Sequence, residues 1–204
     1  MQDYTFSIMA VLKEAFRRTE GSKWTFIASL LLFLLIQIIA GLILLQIIPN
    51  IESYLDILLT ILTLPIIVGI TILGISRARG EHVSIKQVFN YFDRYPYLIL
   101  AYIVVTLFTA IGFIALIIPG IYLAVSYTYT LPLVADKHMG VWEAMELSRK
   151  SITKQWFRFF GLGIVSTLFI IISAIPFGIG LIWSIPTVYI AYGLLYHRLF
   201  DEES

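Results

Sequence analysis

The chain has 204 residues, of which 59% are hydrophobic and 13% are charged, and its mean hydropathy is +0.91. Soluble domains contain about 45–50% apolar residues, so this composition excludes an ordinary soluble domain and indicates an integral membrane protein. The formal net charge is +1 and cysteine is absent, which excludes disulfides, thiolate nucleophiles and cysteine-ligated metals.

Six apolar segments approach the roughly 20 residues that a helix needs to cross a bilayer. They are residues 24–48, 55–75, 97–118, 121–135, 159–175 and 179–199. The fourth is short, but residues 96–135 are too many for one crossing, and Pro119-Gly120 supplies a helix stop and restart. We therefore predict an all-α, six-transmembrane bundle of three hairpins, forming a single integral membrane domain over residues 1–204.

The positive charges fix the predicted topology. All 14 Lys and Arg residues precede the first apolar segment, follow the second or the fourth, or end the sixth. The short outer loops carry only the acids Glu52 and Asp56. Because cationic residues are retained on the cytoplasmic side during insertion, both termini are expected in the cytoplasm. This basic face suits anionic lipid headgroups, whereas the scattered charges do not favour nucleic acid.

A short amphipathic segment precedes each predicted hairpin. The first covers residues 8–18, the second follows the capping-box sequence Ser84-Ile85-Lys86-Gln87, and the third covers residues 141–156. Each is too short and too charged to cross a bilayer, so we predict three helices lying in the cytoplasmic headgroup plane. The same order of elements gives three repeat-like units, residues 5–75, 83–135 and 140–199, about an axis along the membrane normal.

The second helix of every hairpin carries a proline in a similar frame: Thr63-Leu64-Pro65, Thr130-Leu131-Pro132 and Ser184-Ile185-Pro186. Each proline predicts either a static kink or a hinge for gating. The nearby hydroxyls either satisfy helix backbone or line a polar cavity. The candidate cavity or hinge residues are Thr63, Pro65, Tyr122, Tyr127, Thr130, Pro132, Ser184 and Pro186.

Charged residues of the cytoplasmic segments are candidates for contact with a protein partner or with lipid headgroups. Glu146 lies four residues before Lys150, the favourable order for an ion pair on one helix, so a solvated helix face also explains this pattern. The candidate contact residues are Arg77, Arg79, Glu143, Arg149, Lys150, Lys154 and Arg158.

Reactive groups are missing from the predicted interior. The central parts of the six apolar segments contain no Asp, Glu, Lys, Arg or His, which disfavours proton-coupled transport and intramembrane acid–base catalysis. The three histidines lack metal-ligand spacing, and no nucleophile or phosphate-binding motif occurs. We therefore expect no catalytic residue, no metal and no cofactor, and not an enzyme.

Several motifs resemble a known family. The motifs are Arg77-Ala78-Arg79-Gly80-Glu81, Pro119-Gly120-Ile121-Tyr122-Leu123-Ala124, Leu131-Pro132-Leu133-Val134-Ala135-Asp136, and residues 141–150 with Trp156. They are similar to YciC-like polytopic membrane proteins of bacteria and archaea, and to the membrane domain attached to some glycerophosphodiester phosphodiesterases. The phosphodiesterase catalytic domain has no counterpart here. The resemblance implies this architecture and a prokaryotic plasma-membrane location, and it transfers no mechanism.

Two functional hypotheses follow. The first is a non-enzymatic scaffold, adaptor or envelope-associated subunit with a membrane or cytoplasmic protein partner. It rests on the uncharged interior, the short outer loops and the substantial cytoplasmic face. The alternative is a small transporter, channel or lipid-handling protein with a polar cavity among the proline-bearing helices.

Overall fold

A computed structural model describes residues 5–48, 50–175 and 177–202. Within these residues the chain forms nine α-helices and no strand, which confirms the predicted all-α class. Short 3-10 helices cover Glu52–Tyr54, Ile85–Phe89 and Phe92–Arg94. The α-helices are α1 Ile8–Thr19, α2 Lys23–Ile47, α3 Leu55–Ala78, α4 Tyr95–Ala115, α5 Ile117–Ser126, α6 Thr130–Asp136, α7 Val141–Thr153, α8 Trp156–Ala174 and α9 Leu181–Phe200.

Five segments in the described part of the chain are long and apolar enough to cross a membrane: Lys23–Ile47, Glu52–Ala78, Ile85–Ala115, Ile117–Asp136 and Trp156–Ala174. On α2, Leu31, Ile38 and Leu42 all remain exposed. An apolar surface of this kind suits lipid rather than water. The sixth predicted crossing, α9, does not belong to this set, because His197 and Arg198 in its last turn, together with its serine, threonine and tyrosine side chains, lower its hydropathy.

The centre of the bundle is the pair α3 and α9, with α1, α2 and α8 packed around α9. A Cβ atom added to Gly193 would lie 2.2 Å from the carbonyl oxygen of Gly74, and one added to Gly74 would lie 2.3 Å from the carbonyl oxygen of Tyr189. The two helix backbones are therefore in direct contact, which only glycine allows at these positions.

The turn between α4 and α5 occurs at Leu116, whose extended backbone ends α4. We predicted this break at Pro119-Gly120, and it lies three residues earlier. Pro119 instead occupies the first turn of α5, where a missing backbone N–H costs no helical hydrogen bond. Gly120 packs against the ring of Phe113, so the hairpin closes with one residue between its helices.

The predicted crossing over residues 121–135 is interrupted. α5 ends at Ser126 and α6 starts at Thr130, and Pro132 has no backbone N–H to donate to the carbonyl of Thr128. Ser148 of α7 satisfies the interrupted backbone: its hydroxyl donates to the carbonyl of Ser126 at 2.7 Å and accepts from the N–H of Tyr129 at 3.2 Å. The ends of the other predicted crossings are within three residues of the helix ends.

Two of the three predicted amphipathic helices, α1 and α7, are α-helical. The second is not an α-helix but a pair of 3-10 turns over residues 85–94, although the capping box of Ser84 and Gln87 is formed. Tertiary contact fixes this segment, since a Cβ atom on Gly69 of α3 would lie 2.3 Å from the carbonyl oxygen of Val88. α1 is also part of the bundle, because it buries Val11 and Ala15 and packs along α9.

Candidate functional site

Three helices end at one group of charged residues. Arg79 follows α3, Asp136 is the last residue of α6, and Asp201 follows α9. The guanidinium of Arg79 donates to both carboxylates. Its Nη1 and Nη2 lie 2.8 and 2.6 Å from the oxygens of Asp136, and its Nε and Nη2 lie 2.8 and 3.0 Å from those of Asp201. Paired bonds of this geometry are among the strongest hydrogen bonds in proteins.

Further side chains complete this group. Lys137 Nζ lies 2.5 Å from Oδ1 of Asp201, and His197 Nδ1 lies 2.8 Å from its Oδ2. The hydroxyl of Tyr196 donates to Oδ2 of Asp136 at 2.9 Å, and the guanidinium of Arg79 lies over the Tyr196 ring, 5.8 Å from its centre. We call these residues the ion cluster: Arg79, Asp136, Lys137, Tyr196, His197 and Asp201.

The ion cluster is largely shielded from solvent, with 19%, 12% and 14% of the side chains of Arg79, Asp136 and Asp201 exposed. Burial acts to raise the pKa of Asp201, but hydrogen bonds from Arg79, Lys137 and His197 outweigh it and hold this pKa well below its usual range. The hydrogen bond to Asp136 raises the pKa of Arg79, partly offset by burial. Both side chains are therefore charged at neutral pH.

The chemistry of the ion cluster favours a structural role. The carboxylate of Asp201 accepts from Arg79 and Lys137 and lies within hydrogen-bonding distance of the His197 ring, and that of Asp136 accepts from Arg79 and Tyr196. A carboxylate that stays ionised and fully bonded is a poor general base. Within residues 5–48, 50–175 and 177–202, no group of three or more His, Asp or Glu side chains could hold a metal ion. The arrangement fixes three helix ends relative to one another.

The predicted contact residues on α3 face inward. Arg79, predicted to meet a partner or a headgroup, is bound to Asp136 and Asp201. Arg77 donates to the carbonyls of Arg18 and Glu20, both at 2.8 Å, and so holds the turn between α1 and α2. Asp136 and Asp201 were missed as site residues. The signal that could have found them is an acid within two residues of the end of a predicted crossing.

The candidate residues in the three proline-bearing segments are buried, and they lie on three different helices. Thr63 donates to the carbonyl of Leu59 at 2.7 Å and accepts from Gln37 at 3.0 Å, which ties α2 to α3. The buried hydroxyls of Thr130 and Ser184 have no hydrogen-bond partner among the described residues. Pro65 and Pro186 lie inside α3 and α9, whereas Pro132 lies in the first turn of α6.

Tyr122 and Tyr127 lie beside α7, away from the α3–α9 pair. The Tyr122 hydroxyl is 2.7 Å from that of Thr153, and its ring stacks on Trp156. Tyr127 lines a pocket of about 130 Å³ with Trp142, Met145, Glu146 and Arg149. The structure thus places Tyr122 and Tyr127 away from Pro65 of α3 and Pro186 of α9.

The charged stripe of α7 faces outward. Lys150 pairs with Glu146 at 2.7 Å, as their spacing predicts, and the carboxylate of Glu146 has a lowered pKa because of this bond. Glu143 and Lys154 are exposed, and Arg149 is half-buried. Arg158, just inside α8, donates from Nη1 to the carbonyl of Phe6 at 2.7 Å and so holds the start of α1.

Two apolar grooves open at the sides of the bundle. One of about 340 Å³ lies between α5 and α8, and one of about 430 Å³ lies between α1 and α8. Their volumes fall within the range of about 300–1,000 Å³ that ligand pockets occupy. Both are lined mainly by aliphatic and aromatic side chains.

The fold and composition define a class: an all-helical protein with several apolar helices compatible with a membrane. Comparison of the chain with models of protein families, with curated proteins and with solved structures finds no match. The function must therefore follow from the fold, the ion cluster and the exposed surfaces.

Proposed function

We propose that the protein is a six-span integral membrane protein of the prokaryotic plasma membrane and acts as a non-enzymatic scaffold, adaptor or envelope-associated subunit. The observation that carries this proposal is the ion cluster, in which Arg79 joins Asp136 and Asp201. It links the ends of α3, α6 and α9 in a fixed frame, as a docking platform requires. In this proposal the protein needs no cofactor and binds no nucleic acid.

The position of α9 supports a sixth crossing. Its residues Ile190, Ala191 and Leu195 are completely buried, so it faces other helices more than lipid. A helix enclosed in this way does not need the hydropathy of a lipid-exposed one. Because α9 ends beside α3 and α6, the second helices of all three predicted hairpins end on one face. This agrees with a cytoplasmic location for both termini.

The ion cluster also supports three related units and the family resemblance. One charged residue of the ion cluster lies just beyond the end of each predicted unit: Arg79, Asp136 and Asp201. The motif over residues 77–81 and the motif over residues 131–136 meet through the bond between Arg79 and Asp136. We therefore propose the YciC-like family as the relationship to test.

The surface best suited to a protein partner is the outer face of α7. Trp142 is 65% exposed beside the exposed Glu143, and Lys150 is exposed two turns further along. A large aromatic side chain surrounded by charges is typical of protein interfaces. The partner would be a membrane or cytoplasmic protein on this face.

Affinity isolation of the full chain from membranes in mild neutral detergent tests the scaffold role. We expect one partner at constant stoichiometry, lost in the charge-exchanged variant Glu143→Lys/Lys150→Glu, which keeps the net charge. The matched control Glu81→Lys/Lys86→Glu exchanges two exposed charges elsewhere and should retain the partner. Repeated isolation of the protein alone would contradict the proposal.

The rival function, a transporter, channel or lipid-handling protein, is favoured by the two side grooves rather than by a polar passage. Liposomes containing the purified protein discriminate between the two. Flux of an ion or small solute, or transfer of lipid between leaflets, would support the rival. Inactivity in all three assays would remove it.

A further inference from the structure

The groove between α1 and α8 combines an apolar interior with a charged rim. Its floor is Thr187 of α9, whose hydroxyl is already engaged: it donates to the carbonyl of Trp183 at 2.6 Å and lies 3.1 Å from the hydroxyl of Thr19. The interior therefore offers an occupant almost no hydrogen bonding. The remaining lining residues are Met9, Leu12, Lys13, Phe16, Val165 and Phe169.

Lys13 at the rim has a second cation beside it. Lys13 and Arg17 are both exposed and lie one helical turn apart on α1. Among the described residues neither has an ion-pair partner, because the acid next to them, Glu14, pairs with Arg18 at 2.7 Å and with Arg198 at 2.5 Å. Two cations at this spacing repel each other, so an anion between them is favourable.

We propose that this groove binds one anionic phospholipid. An acyl chain lies along the apolar walls formed by Leu12, Phe16 and Val165, and the phosphate lies between Lys13 and Arg17. Charge complementarity selects the anionic class, since a zwitterionic lipid offers the same chain without net charge. The proposal rests on the membrane location proposed above and is independent of the scaffold role.

The other groove provides an internal comparison. Its lining, which includes Phe160, Ile164 and Leu168, contains no cationic residue. It can accept an acyl chain without distinguishing between headgroups. The headgroup preference is therefore expected from the α1–α8 groove alone.

The test measures lipid binding to the purified full chain in neutral detergent by native mass spectrometry. The probes are phosphatidylglycerol and phosphatidylcholine with identical chains. We expect tighter binding of phosphatidylglycerol, and in Lys13→Gln/Arg17→Gln a loss of roughly 30-fold, from a little over fivefold for each cation near an anionic headgroup. Phosphatidylcholine binding should not change.

The control Lys86→Gln removes an exposed cation elsewhere and should keep the preference. If it lowers phosphatidylglycerol binding as much as Lys13→Gln/Arg17→Gln does, or if the wild type binds both lipids equally, the proposal is overturned. Glycerol phosphate, which lacks the chain, should not bind, and equal binding would show a simple phosphate site instead.

Filling the groove provides a second, independent variant. Val165→Trp should weaken phosphatidylglycerol binding while circular dichroism and a single peak on gel filtration show a folded protein. Unchanged binding in folded Val165→Trp would exclude the groove as the site of the chain. If this variant does not fold, the charge variants decide the question. None of these measurements depends on recovery of a protein partner, so failure of the scaffold role would be seen separately.

Discussion

Arg79 donates to two carboxylates on different helices, so its removal leaves Asp136 and Asp201 as like charges in a shielded site. We expect Arg79→Met to lower the free energy of unfolding by about 3 kcal/mol, the lower end for a broken buried pair. Arg79→Lys keeps the charge but cannot reach both carboxylates with one planar group, so its expected loss is about 1.5 kcal/mol. Thermal unfolding in detergent, followed by circular dichroism, measures both.

The matched control is Lys150→Met, which breaks an ion pair on the exposed face of α7. Pairs at this spacing contribute about 0.2–0.5 kcal/mol, so its effect should be small. Equal destabilisation by Arg79→Met and Lys150→Met would show that the ion cluster does not hold the helix ends together.

Tyr95 compensates for a hydrogen bond that Pro65 removes. Proline at position 65 cannot donate to the carbonyl of Ile61, and the hydroxyl of Tyr95 donates to that oxygen at 3.1 Å. Tyr95→Phe should therefore destabilise the protein by about 1 kcal/mol. In a Pro65→Ala background the new backbone N–H takes over this role, and Tyr95→Phe should cost less. Thermal unfolding of the four proteins gives the coupling, and additive effects would refute the link.

The contact between α3 and α9 depends on the two glycines at their crossing. Gly74→Ala places a methyl group against the backbone at Tyr189, which cannot move without shifting α9. We expect a loss of about 1–3 kcal/mol, as for overpacked cores. The control is Gly163→Ala on α8, where the nearest atom is the Tyr192 hydroxyl at 3.6 Å and helix propensity favours alanine. Equal thermal stability of the two variants would contradict a backbone contact.

The positions of the helices could be predicted from the sequence, but which helices and side chains pack together could not. Apolar length located the helices of five of the six predicted crossings to within three residues, because lipid-facing residues such as Leu31 and Ile38 depend only on local composition. The 3-10 turns over residues 85–94 depend on Gly69 of α3, and the break before Thr130 depends on Ser148 of α7. The ion cluster joins residues far apart in the chain. No local pattern indicates that Arg79 meets Asp136 and Asp201.

The response of the whole bundle to pH follows from Asp201. Its pKa in the folded protein lies below the unfolded value of 3.8, so its stabilising contribution is present above that value and is lost as the pH falls through the folded pKa. We expect no loss from this group between pH 7 and about pH 5 and a loss below about pH 4. Asp201→Asn should be less stable at pH 7, and its difference from the wild type should shrink below pH 4. A difference independent of pH would be inconsistent with an ionised cluster.

The topology of the whole molecule can be tested directly because the chain contains no cysteine, so each introduced cysteine is unique. If the six-span proposal is right, Ser53→Cys and Phe177→Cys react with a membrane-impermeant maleimide from outside intact cells, since both lie in predicted outer loops. Glu81→Cys, Glu143→Cys and Glu202→Cys should react only after the membrane is opened. All five native residues are exposed, so burial does not limit labelling. Labelling of Phe177→Cys only after the membrane is opened, or of Glu202→Cys from outside, would contradict the six-span topology.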